Sequence, residues 1–252
     1  MTYLLEGKHL NKTFQEKAKT TVALSDVSFY LNEGEVLGVV GESGSGKSTL
    51  LKVIAGMLKP DRGSLFYNGT EYTGQKPRQT GKFLQMIFQD AASSFDPRMV
   101  MERAILESGR GEKDPARVRE LVALVGLEEE LLGRKPAALS GGQCQRMAIA
   151  RAFYSDAGIL LCDEMTSALD VSSQARVVEL LQKLKKEGRL SAVFVSHDIA
   201  LVSMLCDRIM VMKDGTCVEE GKTPDVIWHP SDAYTKKLLE SARRQSIQEP
   251  PG

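Results

Sequence analysis

The chain has 252 residues, 42% apolar and 26% charged, enough for one large α/β domain with room for an inserted lobe. Its 33 lysines and arginines balance 33 aspartates and glutamates, which leaves no basic excess to argue for a nucleic-acid partner. No apolar stretch reaches the ~18–20 residues that cross a bilayer, and the opening MTYLLEGKHLNKTF has no basic-then-apolar pattern, so neither a membrane span nor a secretory signal is expected.

Residues 1–40 read as short strands joined by turns, with the alternating run VALSDVSFYL, a polar turn at Asn32–Glu35 and then the buried-looking strand VLGVV. A glycine-rich loop follows, then KSTLLKVIAGML, a helical stretch that Lys59-Pro60 should end. GSLFYNG adds a strand closing on an Asn68-Gly69 hairpin. From about 90 to 155 the pattern becomes helical. Asp114 caps a helix with Pro115 at its first position; Val118, Leu121, Val122 and Val125 line one face, and Gly126 stops it. After 157 the α/β alternation returns with the strand GILLC, the amphipathic helix SSQARVVELLQKLKKEG and the strand SAVFVS, which implies parallel pairing. An Asp214-Gly215 hairpin and a short helical tail complete the chain, and QSIQEPPG reads as unstructured. The four cysteines (Cys144, Cys162, Cys206, Cys217) form no CxxC pair and no cluster with histidine, so free thiols of a reducing cytoplasm are expected.

Gly41-Glu42-Ser43-Gly44-Ser45-Gly46-Lys47-Ser48, followed by Thr49, fits the pattern GxxxxGK[ST] between a strand and a helix. Glycines let successive backbone N–H groups curl around phosphate oxygens, and the helix N-terminus adds partial positive charge. Lys47 is expected on the β/γ-phosphates and Ser48 on Mg²⁺. Such a loop needs a carboxylate on a second strand. Ile159–Glu164 supplies Asp163 for the metal shell and Glu164 to orient and polarise the attacking water. Cys162, just before them, reads as small core packing.

Leu139-Ser140-Gly141-Gly142-Gln143, about twenty residues before the acidic strand, opens the helix QCQRMAIARAFY. It resembles the LSGGQ signature of the ABC ATPase superfamily: a serine hydroxyl, glycine backbone and a helix N-terminus forming a second anion site. The resemblance covers nearly the whole chain. It implies a P-loop ABC cassette of α/β class, a mixed-sheet core with an inserted α-helical subdomain and an N-terminal antiparallel β subdomain. The expected division is 1–88 with 156–230 as the ATP-binding core, about 89–155 as the helical signature subdomain, and 231–252 as a C-terminal tail. Gln89 matches the Q-loop glutamine that senses metal and nucleotide. Ser167-Ala168-Leu169-Asp170 matches the D-loop, His197 the switch histidine, and Phe14 the aromatic that stacks on adenine. Ser140, Gly141, Gly142 and Gln143 would face ATP held by the opposite protomer, since the helical lobe is expected to hold Ser140 away from Lys47.

Two stretches narrow the likeness. Phe88–Arg98 resembles the FQDPxxSLNPR segment, and His229–Leu239 the HPYTxxLL segment, of the oligopeptide, dipeptide and nickel importer branch. Ala91 stands where that branch has proline, Ala233 interrupts the Pro-Tyr-Thr triplet, and Met165 replaces the proline after the catalytic glutamate. The branch implies an ATPase at the cytoplasmic face of the membrane, bound peripherally and using ATP and Mg²⁺. Its implied partners are a second cassette (a heterodimer favoured), permease subunits and, indirectly, an extracytoplasmic binding protein. A soluble ABC ATPase of a metabolic complex such as the phosphonate carbon–phosphorus lyase is the rival reading. DNA-repair and translation factors of the superfamily carry a second cassette or long insertions, which this chain lacks.

Overall fold

A computed structural model describes residues 2–16, 19–167, 169–188 and 190–248. The first part of the chain runs β1 (Leu5–Glu16), β2 (Lys19–Leu31), β3 (Val36–Val40), α1 (Lys47–Ile54), β4 (Arg62–Tyr67), β5 (Thr70–Glu71) and α2 (Pro77–Thr80). Then come β6 (Leu84–Ile87), α3 (Met101–Leu106), α4 (Pro115–Leu124), α5 (Gly141–Tyr154), β7 (Ile159–Asp163) and α6 (Val171–Lys186). The last part is β8 (Ala192–Val195), α7 (Ile199–Leu205), β9 (Arg208–Lys213), β10 (Thr216–Lys222), α8 (Thr223–Trp228) and α9 (Ala233–Gln248). Two compact units result, one from Met1–Thr80 with Ser191–Gly252 and one from Gly81–Leu190. Among the described residues no helix is long and apolar enough to cross a membrane.

The first unit holds an antiparallel sheet ordered β2-β1-β4-β5 and a mixed one, in which β3 pairs parallel with both β8 and β9 while β10 runs antiparallel to β9. All five residues of β3 are buried, as its unbroken apolar run requires of a strand covered on both faces. Helix α7 lies against it at Gly38, where an added Cβ would come within 2.6 Å of Val202 and 2.9 Å of Cys206. Both hairpins close as their sequences predict: Asn68-Gly69 and Asp214-Gly215 each place two successive residues at positive φ. The Arg208 guanidinium ties several of these strands. It lies 2.7 Å from Glu35 and 3.0 Å from Glu220, donates to the Tyr30 carbonyl and stacks 3.6 Å from the Tyr30 ring centroid.

Three local expectations change. The N-terminal strands are long, 12 and 13 residues, and register shifts at Gly7/Leu10, Leu10/Lys12 and Lys12/Thr13 interrupt the alternation that would mark their length in sequence. The helix after the phosphate loop stops at Ile54, well before Lys59-Pro60. Gly56 adopts φ 74° there, Met57 donates its N–H to the Lys52 carbonyl at 2.9 Å and Gly56 to that of Val53 at 3.1 Å, the pattern that closes a helix C-terminus on a left-handed glycine. Finally, α9 runs through Gln248, so the first four residues of QSIQEPPG are helical and the last four lie outside the described residues.

The second unit contains the parallel pair β6–β7 and a helical cluster around α5. Met147, Ala148, Ile149 and Ala150 of α5 are all buried, so this helix is apolar on nearly every side and needs cover all round. Met101 and Ile105 of α3 and Val118 and Val122 of α4 are fully buried with it. Asp114 caps α4 by accepting from the Arg117 N–H at 3.1 Å, with Pro115 at the first position and Gly126 at φ 68° beyond the end. Arg151 reaches from α5 to the segment after β6. It donates to the Ser94 carbonyl at 2.7 Å and hydroxyl at 2.9 Å and sits 4.2 Å over the Phe95 ring.

Candidate functional site

In the first unit the site begins where β3 ends. Gly41 leaves the strand at φ 149°, with no room for a side chain: a Cβ would lie 2.2 Å from the Met212 carbonyl oxygen. Gly46, at φ 104°, is equally pressed, 2.3 Å from the Ala23 carbonyl oxygen. Between them Glu42, Ser43 and Gly44 are exposed and Ser45 is buried, as is Lys47 just after. The loop closes around its own lysine. The Lys47 Nζ donates to the Gly41 and Glu42 carbonyls at 2.8 Å each and to the Ser45 hydroxyl at 3.4 Å. Neutral carbonyls are weaker partners for an ammonium than charged phosphate oxygens. Helix α1 starts at Lys47 with no side-chain cap and no acidic residue in its first turn. A helix start of this kind favours an anion, through the partial positive charge of its leading N–H groups. Ser48 and Thr49 are half-buried in that turn.

The β9–β10 hairpin supports the loop from outside, Gly215 donating its N–H to the Ser45 carbonyl at 3.1 Å and accepting from the Ser25 N–H at 2.8 Å. Parallel pairing of β3 with β8 sets Val39 opposite Val195, so Gly41 and His197 leave adjacent strands at the same end. His197 is exposed there, between buried Ser196 and Asp198, which caps α7 by accepting from the Leu201 N–H at 3.0 Å. Phe14 is half-buried on β1 opposite Thr21, two residues before the Ala23 whose carbonyl meets Gly46.

In the second unit, β6 and β7 pair Ile87 with Cys162, so exposed Gln89 and half-buried Asp163 and Glu164 emerge at one end. Glu164 stands at φ 45°, a left-handed backbone that a glutamate adopts at a cost of about 1 kcal/mol or more. The turn that follows holds it: the Ser167 N–H and hydroxyl donate to its carbonyl at 3.1 and 2.9 Å, and Met165 and Thr166 are buried. Cys162 is fully buried and its thiol is pushed up to about 12 by that burial, so it packs as a protonated small side chain.

Ser140 begins α5 as half of a reciprocal cap. Its oxygen accepts from the Gln143 N–H at 3.2 Å while the Gln143 side chain accepts from the Ser140 N–H at 2.9 Å. Ser140 and Gly141 are exposed, and a Cβ on Gly141 would meet nothing within 4 Å. Gly142 is buried for a reason its motif does not display: an added Cβ would lie 2.7 Å from the Ser173 hydroxyl on α6. The signature turn therefore packs on the start of α6, which Asp170 caps by accepting from the Ser173 N–H at 3.0 Å and the Ser172 hydroxyl at 2.7 Å. These bonds, the Ser172 hydroxyl first, hold the Asp170 carboxyl well below the usual carboxylate range. Ala168 lies outside the described residues.

Among the described residues no group of three or more His, Cys, Asp or Glu side chains is placed to hold a metal ion. Ser48 offers an oxygen in the first unit, and Gln89 and Asp163 each offer one in the second. Oxygen donors are the type that suits Mg²⁺, which keeps waters and takes further oxygens from phosphate.

The strand–loop–helix phosphate site, the capped signature turn and the α/β fold are those of an ABC ATPase cassette, and the chain belongs to the ABC transporter family, whose model matches residues 24–167. It is 42% identical over 244 residues to the oligopeptide transport ATP-binding protein OppF of Escherichia coli K12, spanning 93% of this chain and 73% of that protein. Against OppF of Bacillus subtilis it is 41% identical, spanning 94% of this chain and 81% of that one. The dimeric structure of a bacterial ABC transporter cassette is similar at 31% identity and TM-score 0.78, covering 87% of this chain and 98% of that chain. The cbiO1 protein of Clostridium perfringens, part of the ABC transporter complex cbiONQ, matches at 25% identity and TM-score 0.77, covering 98% of this chain and 96% of that one.

Proposed function

We propose that the chain is the ATP-binding and ATP-hydrolysing subunit of a peptide importer and works as one half of a two-cassette nucleotide sandwich. The observation that carries the ATP reading is the phosphate loop wrapped on buried Lys47 before an uncapped helix start. The peptide class is supported by 41–42% identity to oligopeptide transport ATP-binding proteins over more than nine-tenths of the chain, which favours an importer over a soluble lyase complex.

Lys47 turns from its two carbonyls to the β/γ-phosphates and offsets their charge. Glu164 orients a water for in-line attack on the γ-phosphorus and accepts a proton from it as the bond from that phosphorus to the β–γ bridging oxygen breaks, so that ADP leaves and phosphate remains. His197 serves the γ-phosphate, and Phe14 stacks on adenine. Mg²⁺, when bound, neutralises phosphate charge and would be held by Ser48 and Asp163 with Gln89. Ser140 and Gly141 are exposed at the start of α5, and the space around Gly141 is open. This supports a second anion contact made to ATP on another protomer, as the dimeric relatives suggest. A heterodimer with a second cassette, docking on permease subunits at the cytoplasmic face of the membrane, completes the reading. An extracytoplasmic binding protein delivers the peptide.

Glu164→Gln keeps shape and hydrogen-bonding capacity and should slow hydrolysis on the order of 10²–10⁴-fold. Mixed with its cognate cassette, the variant should sediment as a dimer in ATP and separate in ADP. Adding Ser140→Arg should prevent the dimer. An association state indifferent to nucleotide with every plausible partner cassette present would remove the sandwich.

A further inference from the structure

The segment that leads into α9 is tied down more firmly than a tail needs. The Glu219 carboxylate on β10 accepts from the Ser231 N–H at 2.7 Å, the Ser231 hydroxyl at 2.9 Å and the Asp232 N–H at 3.2 Å. Asp232 in turn accepts from the Tyr234 and Thr235 N–H groups at 2.7 and 3.3 Å, and Thr235 and Leu239 are buried. These bonds aim one side chain. The Tyr234 hydroxyl accepts from the Glu42 N–H of the phosphate loop at 3.0 Å, while the ammonium of Lys213, beside the hairpin, lies 5.1 Å from its ring centroid. Burial, with the Glu42 and Asp214 carboxylates close by, keeps the phenol protonated.

The loop is thus held from outside at two points, Glu42 by Tyr234 and Ser45 by Gly215, and from inside by Lys47 on the Gly41 and Glu42 carbonyls. On the nucleotide reading given above, on which this inference rests, the inner tether is the one that must let go when Lys47 reaches for phosphate. We propose that Tyr234 is a positioning residue of the phosphate loop: its hydroxyl keeps the Glu42 peptide in place while Lys47 changes partners, so that α9 contributes to nucleotide affinity without touching the nucleotide. A loop already in its bound shape loses less freedom on binding, and the gain appears in affinity, not in turnover.

Tyr234→Phe removes only the acceptor oxygen and keeps the ring beside Lys213. Titration calorimetry with Mg-ATP on the purified chain should show the dissociation constant raised about two- to tenfold, the loss of one neutral hydrogen bond. KM for ATP should rise with it at unchanged kcat, and the thermal midpoint should stay put. In nucleotide-free protein the Glu42 amide should exchange with deuterium faster than in the wild type. Unchanged affinity with an unchanged Glu42 exchange rate would overturn the proposal, as would an affinity loss that merely follows a fall in thermal midpoint. A wild-type chain that fails to bind ATP would instead bring down the nucleotide reading and this inference with it. A wild type that binds normally beside an identical variant defeats the positioning role alone.

Discussion

Lys47 and Glu164 show two ways a single residue is held in a state that costs free energy. Lys47 is a buried charge whose cost is offset by carbonyls that a ligand can replace. Lys47→Ala removes the one cation the loop encloses, and titration calorimetry with Mg-ATP should find tight binding gone. An unchanged affinity would refute the phosphate-loop assignment. For Glu164 the cost lies in the backbone. Its positive φ is imposed by the turn through Ser167, whose N–H and hydroxyl fasten its carbonyl. Glycine ordinarily stabilises a folded position less than alanine, yet here the order should invert. Both Glu164→Gly and Glu164→Ala discard the carboxylate, but only glycine accepts this φ without strain, so denaturant unfolding should find the glycine variant more stable by about 1 kcal/mol. Alanine equal or better would mean the turn carries no strain.

At the scale of elements, helix starts differ in how they are closed. The start of α1 is left uncapped by side chains, whereas α4, α5, α6 and α7 are capped by Asp114, Ser140, Asp170 and Asp198. An uncapped start keeps its N–H groups for a ligand; a capped one is closed. Asp170 makes the clearest test. Its carboxyl titrates below the usual range in the folded chain, so its charged form stabilises the fold at neutral pH. That contribution begins to be lost as pH falls below about 4, where an unfolded aspartate takes up its proton. Asp170→Asn keeps a capping oxygen but no charge. Thermal melts should show it less stable than wild type at pH 7, with the gap narrowing in acid. A gap that does not change with pH would assign the cap no electrostatic part. The signature turn depends on this same cap, because Gly142 packs on Ser173, the residue Asp170 holds.

For the whole molecule, the question is how hydrolysis is made to do transport. Gln89 is exposed just beyond β6, and the stretch after it is fastened to the signature helix by Arg151 through Ser94 and Phe95. One end of α5 thus presents the signature turn and the other grips the segment following Gln89. Gln89→Ala should therefore lower substrate-stimulated transport in reconstituted vesicles more than basal ATPase activity. Equal losses in both would make Gln89 part of the hydrolytic machinery only.

Much of this protein was legible residue by residue. The phosphate loop, the caps at Asp114 and Ser140, the Asn68-Gly69 and Asp214-Gly215 hairpins and the buried strand β3 each depend on neighbours within a few positions. Backbone sterics, turn chemistry and apolar period act at that range. The end of α1 was written as locally, in Gly56, though the more conspicuous Lys59-Pro60 draws attention away from it. Other features had no local trace. Arg208 meets Tyr30 across 178 positions, Tyr234 meets Glu42 across 192, and the need for glycine at 142 comes from Ser173. The positive φ of Glu164 belongs to a residue type that gives no sign of it. Such contacts are decided by how whole elements pack, because a side chain's distant partner is chosen by the placement of strands and helices, and no repeat or spacing in the chain encodes that pairing.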